Sequence, residues 1–551
     1  YPMGVEMLFL LGMVLRGGAY EGMYLAKMMH GAFGVLTVLA AFAALRQDDD
    51  ARARFSVGLL ATTPIAIYLG WLAMVELAEV FYLVLGLVWL RVWLRESTWR
   101  PAALVGAPMG AACAVKYLSV GFVVAPVAAA MLAACAFRPS RLRSLPVAAG
   151  LTLAMFAPWL VRNAAYTGNP VFPLATPTLG AGYWESPEAR RQQCERRWVA
   201  GHAPEPHPPV PEPEGWTPPE DPPDRLVLLF NNFVGSDWFG TVTLITAGVA
   251  VAIALAETRN RDAWNAALIG VVVIQVAIWM AFTRGMPKRF LVPVVAPVAF
   301  LAAGALSRLT RVKTNPFRRG APATDVNWGR APATAVLLVA AGINLFVGYR
   351  ILLTATDGMP VVPYPGKVLA SEQPPYSRAA KLPAGARVML VGGAMPFYYP
   401  PGTVYATVFD PHPLATLADR LEAGEITPAE ARQALRDRGV THVWVNWLEV
   451  WRLSRTYGFP AALRSDFLRR LDDPTAPASA AVFERLGLIE VDRLENIAPF
   501  VSAKRAEAGA PWPGWTLYAV DPPPPDDADA PEGGKKGEGK ERAGTSSPSG
   551  D

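Results

Sequence analysis

Apolar residues fill the first 357 positions in runs of roughly 20, the length a helix needs to cross a hydrocarbon layer. Ten such runs stand at 20–45, 55–71, 73–95, 101–117, 118–137, 143–163, 239–257, 262–283, 289–309 and 332–354. They predict a polytopic α-helical membrane domain over 1–357 with about ten spans. The opening stretch from Pro2 to Leu15 is shorter and carries Glu6, which suits an interfacial or re-entrant N-terminal helix.

Two stretches break this pattern. Residues 164–238 form a long loop whose Pro-rich part, 203–223, cannot hold a helix and reads as a stiff extended segment. Over 358–521, short apolar runs at 388–393, 404–409, 441–447 and 515–520 alternate with helical patterns, predicting a C-terminal α/β domain with a largely parallel sheet. The run THVWVNW is expected as a central strand, after a helix ending at the cap glycine Gly439. Residues 522–551 are Pro, Gly, Glu, Lys and Ser with few apolar positions, the composition of a disordered tail.

Composition excludes several classes. Charged residues make up 18% of the chain, against about 25% in soluble domains, and mean hydropathy is +0.24. Three cysteines cannot build a disulfide framework or a cysteine metal site. A net charge of +5 with no basic stretch interleaved with aromatics argues against nucleic acid. Arginines fall in alternate loops, at 46–54, 91–100, 138–143, 259–261 and 308–330. The positive-inside rule makes those loops cytoplasmic and places 164–238 and 358–521 on the external side of the cytoplasmic (inner) membrane.

The external ends of the spans then hold the candidate chemistry. Lys116, Arg162, Arg284, Lys288 and Arg289 would all lie there, and a phosphate at headgroup depth would satisfy such a cluster. Snorkelling to ordinary lipid phosphates is the plainer alternative for each. Glu76 and Glu79, three residues apart on one helical face, could hold a divalent cation or orient a sugar hydroxyl; they could equally face water at a helix N-terminus. His30, His202, His207, His412 and His442 show no ligand spacing and read as structural or solvent-facing.

The strings YPMGVEMLF (1–9), GAACAVKYLSVGF (110–122), PWLVRNAAYTGNPVFP (158–173) and KRFLVPVVAP (288–297) resemble the GT-C superfamily. These are integral membrane glycosyltransferases that take sugar from a polyprenyl-phosphate donor, related to protein mannosyltransferases and aminoarabinose transferases. The soluble segment, with GVTHVWVNWLEVWRL at 439–453, resembles the extracytoplasmic domain of bacterial members. The resemblance implies sugar transfer to a glycan, lipid or protein acceptor on the external face, with Lys116, Arg162, Arg284, Lys288 and Arg289 on the donor phosphate and Glu76 and Glu79 as accessory carboxylates. It also implies that the main catalytic carboxylate lies in a first external loop upstream of Tyr1, so that the chain is read as N-terminally truncated, which puts its activity alone in doubt. A transporter or flippase of a lipid-linked or anionic substrate is the alternative, but it calls for inverted repeats or midplane charge pairs, and the sequence shows neither. A non-catalytic scaffold whose soluble domain binds cell-surface polymer is a third reading.

Overall fold

Where backbone polar groups meet lipid they must be satisfied within the segment, so the apolar runs fold as helices. The computed structural model describes residues 2–180, 182, 224–256, 262–283, 287–311, 329–355, 376–379, 381–394, 396, 399–407, 410–447, 449–450, 453, 460–463, 482–495 and 513–521. The Pro-rich stretch 203–223 and the tail 522–551 lie outside them.

The first 355 residues supply α1 (Gly4–Leu15), α2 (Ala19–Leu45), α3 (Asp50–Thr62), α4 (Pro64–Gly70), α5 (Glu76–Glu96), α6 (Trp99–Val115), α7 (Ala125–Phe137), α8 (Leu145–Thr167), α9 (Thr241–Ala256), α10 (Ala263–Phe282), α11 (Val295–Thr310) and α12 (Arg330–Ala355). All ten expected runs are helical, but seven helices among the described residues are long and apolar enough to cross a membrane. The other three fall short for local reasons. The run 55–71 bends by 59° between α3 and α4, where Pro64 has no amide to donate and starts a new helix. The run 101–117 ends at Val115 after 17 residues, and 239–257 contains only the 16-residue α9.

Small residues decide how closely the helices approach. A Cβ on Gly106 or Gly110 would lie 2.2 Å from the carbonyl oxygen of Ala148 or Thr152 respectively, so this G-x-x-x-G step of α6 admits the α8 backbone. Thr152 Oγ1 then donates across the seam to Gly106 O at 3.1 Å. The helix α11 is buried almost throughout, whereas α8 and α12 expose leucine, valine and phenylalanine.

The arginine-bearing loops meet at one end of this bundle. Asp48, after α2, pairs with Arg91 at 3.0 Å and Arg95 at 2.8 Å on α5. Asp49 caps α3 and accepts from Ser307 and Arg311 at the end of α11. Arg141 donates to Ser97 Oγ and to Leu94 O, tying the α7–α8 connection to the end of α5.

Further along, β1 (Val388–Val391), β2 (His442–Asn446), β3 (Ile489–Glu495) and β4 (Pro513–Ala519) form a sheet of order β1-β2-β4-β3. Only β1 and β2 run parallel; β4 is antiparallel to both neighbours, so the sheet is mixed rather than largely parallel. Among its described residues, 404–407, the run 404–409 contributes one bridge, Val404 with Met389, and no strand. The interior place of β2 follows from its buried run of Val443, Trp444 and Val445. The helices α13 (Pro413–Glu422) and α14 (Pro428–Asp437) precede it. α14 opens with a Thr427/Glu430 capping box and closes before Gly439 at φ +72°.

Candidate functional site

Two antiparallel neighbours build the site. The N-terminus of α5 presents Glu76 and Glu79, carboxylates that its dipole favours, and the last carbonyls of α6 meet the cation Lys116 at its C-cap. Lys116 Nζ lies 3.3 Å from Glu76 Oε1 and 2.7 Å from Glu79 Oε2. Ser119 Oγ donates to Glu79 Oε1 at 2.5 Å, and the Val75 amide reaches Glu76 Oε2 at 3.2 Å. Both glutamates are buried, at 4% and 1% exposure, so neither faces outer water. Each of the four carboxylate oxygens accepts a hydrogen bond or faces the ammonium. Among the described residues no group of three or more His, Cys, Asp or Glu side chains could hold a metal ion.

Two carboxylates against one lysine leave the cluster at net −1, and Glu6 on α1 adds its charge from close by. That segment sits tightly, since a Cβ on Gly4 would lie 2.9 Å from Ala114 O on α6. Beside Lys116, Tyr117 Oη donates to Phe172 O at 3.1 Å and accepts from Asn163 Nδ2 at 2.6 Å. Asn169 Nδ2 donates to Leu174 O and Gly180 O. The string PWLVRNAAYTGNPVFP is thus the last turns of α8 followed by a tied-down turn, fastened to the residue that follows Lys116.

The cations singled out in the sequence have separate surroundings. Lys116 Nζ lies 5.9 Å from the Phe290 ring centroid and the Arg289 guanidinium 5.2 Å from the same centroid, so these two flank one aromatic. Lys288 turns away and lies 5.5 Å from the Trp238 ring. Arg162 stacks between Trp159 and Tyr166. Arg284 lies outside the described residues. Sequence reasoning missed Ser119 and the Tyr117–Asn163 pair, whose only signal was their closeness to Lys116 and Arg162 in the chain.

His30 on α2 is fully buried. Its Nδ1 approaches Leu72 O at 2.7 Å and Leu69 O at 3.0 Å, while Nε2 lies 3.1 Å from the Leu77 amide. Because that amide can only donate, the ring is the neutral Nδ1–H tautomer, and it pins the α4–α5 connection to α2.

Next to this connection opens a groove of 830 Å³ whose described lining is mostly apolar, with Tyr24, Lys27 and Thr37 as its polar members. Gly31 and Gly34 of α2, Ile67 and Gly70 of α4, Leu77 and Val80 of α5 and Val292 form its walls. A second cavity of 520 Å³ is polar and takes Tyr68, Asp237, Trp238, Lys288 and Arg350. Neither Lys116, Arg162 nor Arg289 lines it.

No protein-family model matches the sequence. No curated protein matches it either. Among solved structures, ArnT from Cupriavidus metallidurans in the apo state aligns with a TM-score of 0.51 at 13% identity, over 94% of this chain and 87% of that one. The same protein bound to undecaprenyl phosphate aligns at 0.52 and 14%, with the same coverage of both chains. The apo oligosaccharyltransferase of Archaeoglobus fulgidus aligns at 0.49 and 13%, over 86% of this chain and 64% of that one. The chain shares the overall fold of ArnT.

Proposed function

We propose that this multi-pass membrane protein transfers a sugar from a polyprenyl-phosphate donor to an acceptor hydroxyl at the external face of the cytoplasmic membrane. The observation that carries this reading is the apolar groove. Its walls, Leu77 and Val80 of α5 and Val292 beside α11, belong to the same segments that carry Glu76, Glu79, Arg289 and Phe290. A groove of that volume suits an isoprenoid chain, and Arg289, in the same Lys288–Val294 segment as the groove residue Val292, offers a cation for the phosphate at the end of such a chain. The match to a protein crystallised with undecaprenyl phosphate supports the same donor class.

In this reaction the acceptor oxygen bonds to the anomeric carbon while the bond from that carbon to the lipid phosphate oxygen breaks. The phosphate leaves with the electron pair, and the hydroxyl proton passes to a carboxylate. Lys116 and Arg289, on either side of Phe290, are the cations best placed to stabilise the leaving charge. Arg162, Arg284 and Lys288 extend the external positive surface. Glu76 and Glu79 act through Lys116, holding its ammonium in place until phosphate competes for it. Residues about 358–521 would position the acceptor.

The test uses the full chain in lipid nanodiscs, with undecaprenyl phosphate binding read by native mass spectrometry. Lys116→Ala should weaken retention by roughly 10–100-fold, since one charge-assisted contact is worth about 1.5–3 kcal/mol. Ala66→Trp, which fills the groove, should abolish it. Retention unchanged in both variants overturns the donor assignment.

A further inference from the structure

Lys116 and Arg289 flank the Phe290 ring, and each stands beside a segment tied to the same helix, α10. On the Lys116 side, α6 stops at Val115, Lys116 is extended, and the chain resumes at Val120–Val124 as a π-helical turn leading into α7. In an α-helix Phe122 O would accept from the amide four residues on, but that residue is Pro126, which has no N–H. Gln275 of α10 takes its place. The Gln275 Nε2 donates to Phe122 O at 2.7 Å, across 153 positions of chain. The side chain is fully buried, and its Oε1 has no partner among the described residues. A buried amide with one end unpaired adds little to stability. What it fixes is where the turn lies.

Arg289 is held from the same face of α10. Trp279 follows Gln275 one helical turn along and is likewise fully buried. Its Nε1 donates to Pro287 O at 3.1 Å, the carbonyl that also accepts from the Phe290 amide. That carbonyl opens the Lys288–Val294 turn, just ahead of Arg289. One turn of α10, a rise of about 6 Å, therefore fastens both the segment after Lys116 and the segment before Arg289.

From this clasp we propose that Gln275 and Trp279 are positioning residues: they set the separation of Lys116 and Arg289, and with it how well two cations converge on one anionic head group. The identity of that head group as the donor phosphate rests on the glycosyl-transfer reading; the clasp itself does not.

The test uses the full chain in nanodiscs and compares, by native mass spectrometry, retention of undecaprenyl phosphate with that of undecaprenol, the same chain without the charge. Gln275→Met keeps the length and Trp279→Phe keeps an aromatic ring, while each loses its N–H. Either should lower undecaprenyl phosphate retention by about fivefold, the worth of one hydrogen bond, and leave undecaprenol retention at the parent level. In a Lys116→Ala background Gln275→Met should cost nothing further, since its effect runs through Lys116. Hydrogen exchange should quicken over 116–124 in Gln275→Met and over 287–294 in Trp279→Phe, and nowhere else in the bundle. Equal loss of phosphate and alcohol, or a Gln275→Met loss undiminished in Lys116→Ala, overturns the proposal, because either marks plain packing. So does parent-like phosphate retention in both variants when Lys116→Ala has lost it. If Gln275→Met does not fold, Trp279→Phe decides by the same readings. If Lys116→Ala itself retains the phosphate, the donor reading falls and exchange alone decides: quickening confined to the named segments sustains the clasp, and unchanged or bundle-wide exchange overturns it.

Discussion

The two ends of α5 solve the same problem, charge at the edge of a membrane, in opposite ways. At its N-terminus two buried carboxylates enclose one lysine, and every carboxylate oxygen has a donor. At its C-terminus Arg91 and Arg95 share the half-exposed carboxylate of Asp48, while Arg311 reaches Asp49 from the surface. At the C-terminal end the guanidiniums of Arg95 and Arg311 are exposed, so these pairs are screened and replaceable. At the N-terminal end both carboxylates are buried around one lysine, so that single cation is indispensable. The contrast separates charges that anchor helix ends from charges that a fold has taken trouble to bury.

Removing Lys116 is the severest test. Lys116→Met strands two buried carboxylates and should cost about 3–5 kcal/mol in detergent unfolding, and adding Glu79→Gln should restore part of the loss. If Lys116→Met unfolds like the parent, the N-terminal cluster is as replaceable as the C-terminal pairs and the contrast fails.

A buried group away from the bundle shows the alternative of giving up charge. His412 caps α13, its Nδ1 3.2 Å from the Leu414 amide and its Nε2 2.9 Å from Leu390 O, and burial lowers its pKa to about 4. The unfolded chain, with an ordinary histidine near 6.5, therefore takes up the proton first as pH falls. Stability from the neutral ring is complete above about pH 6.5 and drains away towards pH 4, by up to about 3 kcal/mol. Hydrogen exchange of β1 and α13 amides should accelerate over that window, and His412→Gln should flatten the dependence.

At the arginine-rich end, Asp49→Ala removes an N-cap and the partner of Ser307 and Arg311; about 1–2 kcal/mol is expected in the same unfolding assay. Smallest of all, Arg95→Ala should cost less than about 1 kcal/mol and lose even that in high salt. A larger loss would show this end to be built like the Lys116 cluster.

How much of this was legible in the sequence depended on the range of the interaction. Helix positions followed from local apolar runs, and the capping box and Gly439 from short motifs. The bend at Pro64 was also a local signal, yet the apolar run across it masked the break. The strand Ile489–Glu495 was missed because its alternating charges, Glu490, Asp492 and Arg493, read as a solvent-facing loop until β4 pairs with it. The mixed sheet could not be read at all, since strand direction is set by which partner β4 finds. In the site, Lys116, Glu76 and Glu79 were picked out as costly charges near span ends, but not as partners. Their pairing depends on α5 and α6 standing antiparallel, some 40 residues apart in the chain.

One short element has a mechanical consequence. With seven residues, α4 is the shared partition between the lipid-sized groove and the polar cavity, and its far end is latched by His30. Any occupant of the groove that displaces α4 must reshape the cavity behind it, and reciprocity then obliges the cavity's occupant to alter the hold on the groove by the same factor. What fills one side would be felt on the other through about two turns of helix, with the imidazole latch setting how stiffly the message is carried.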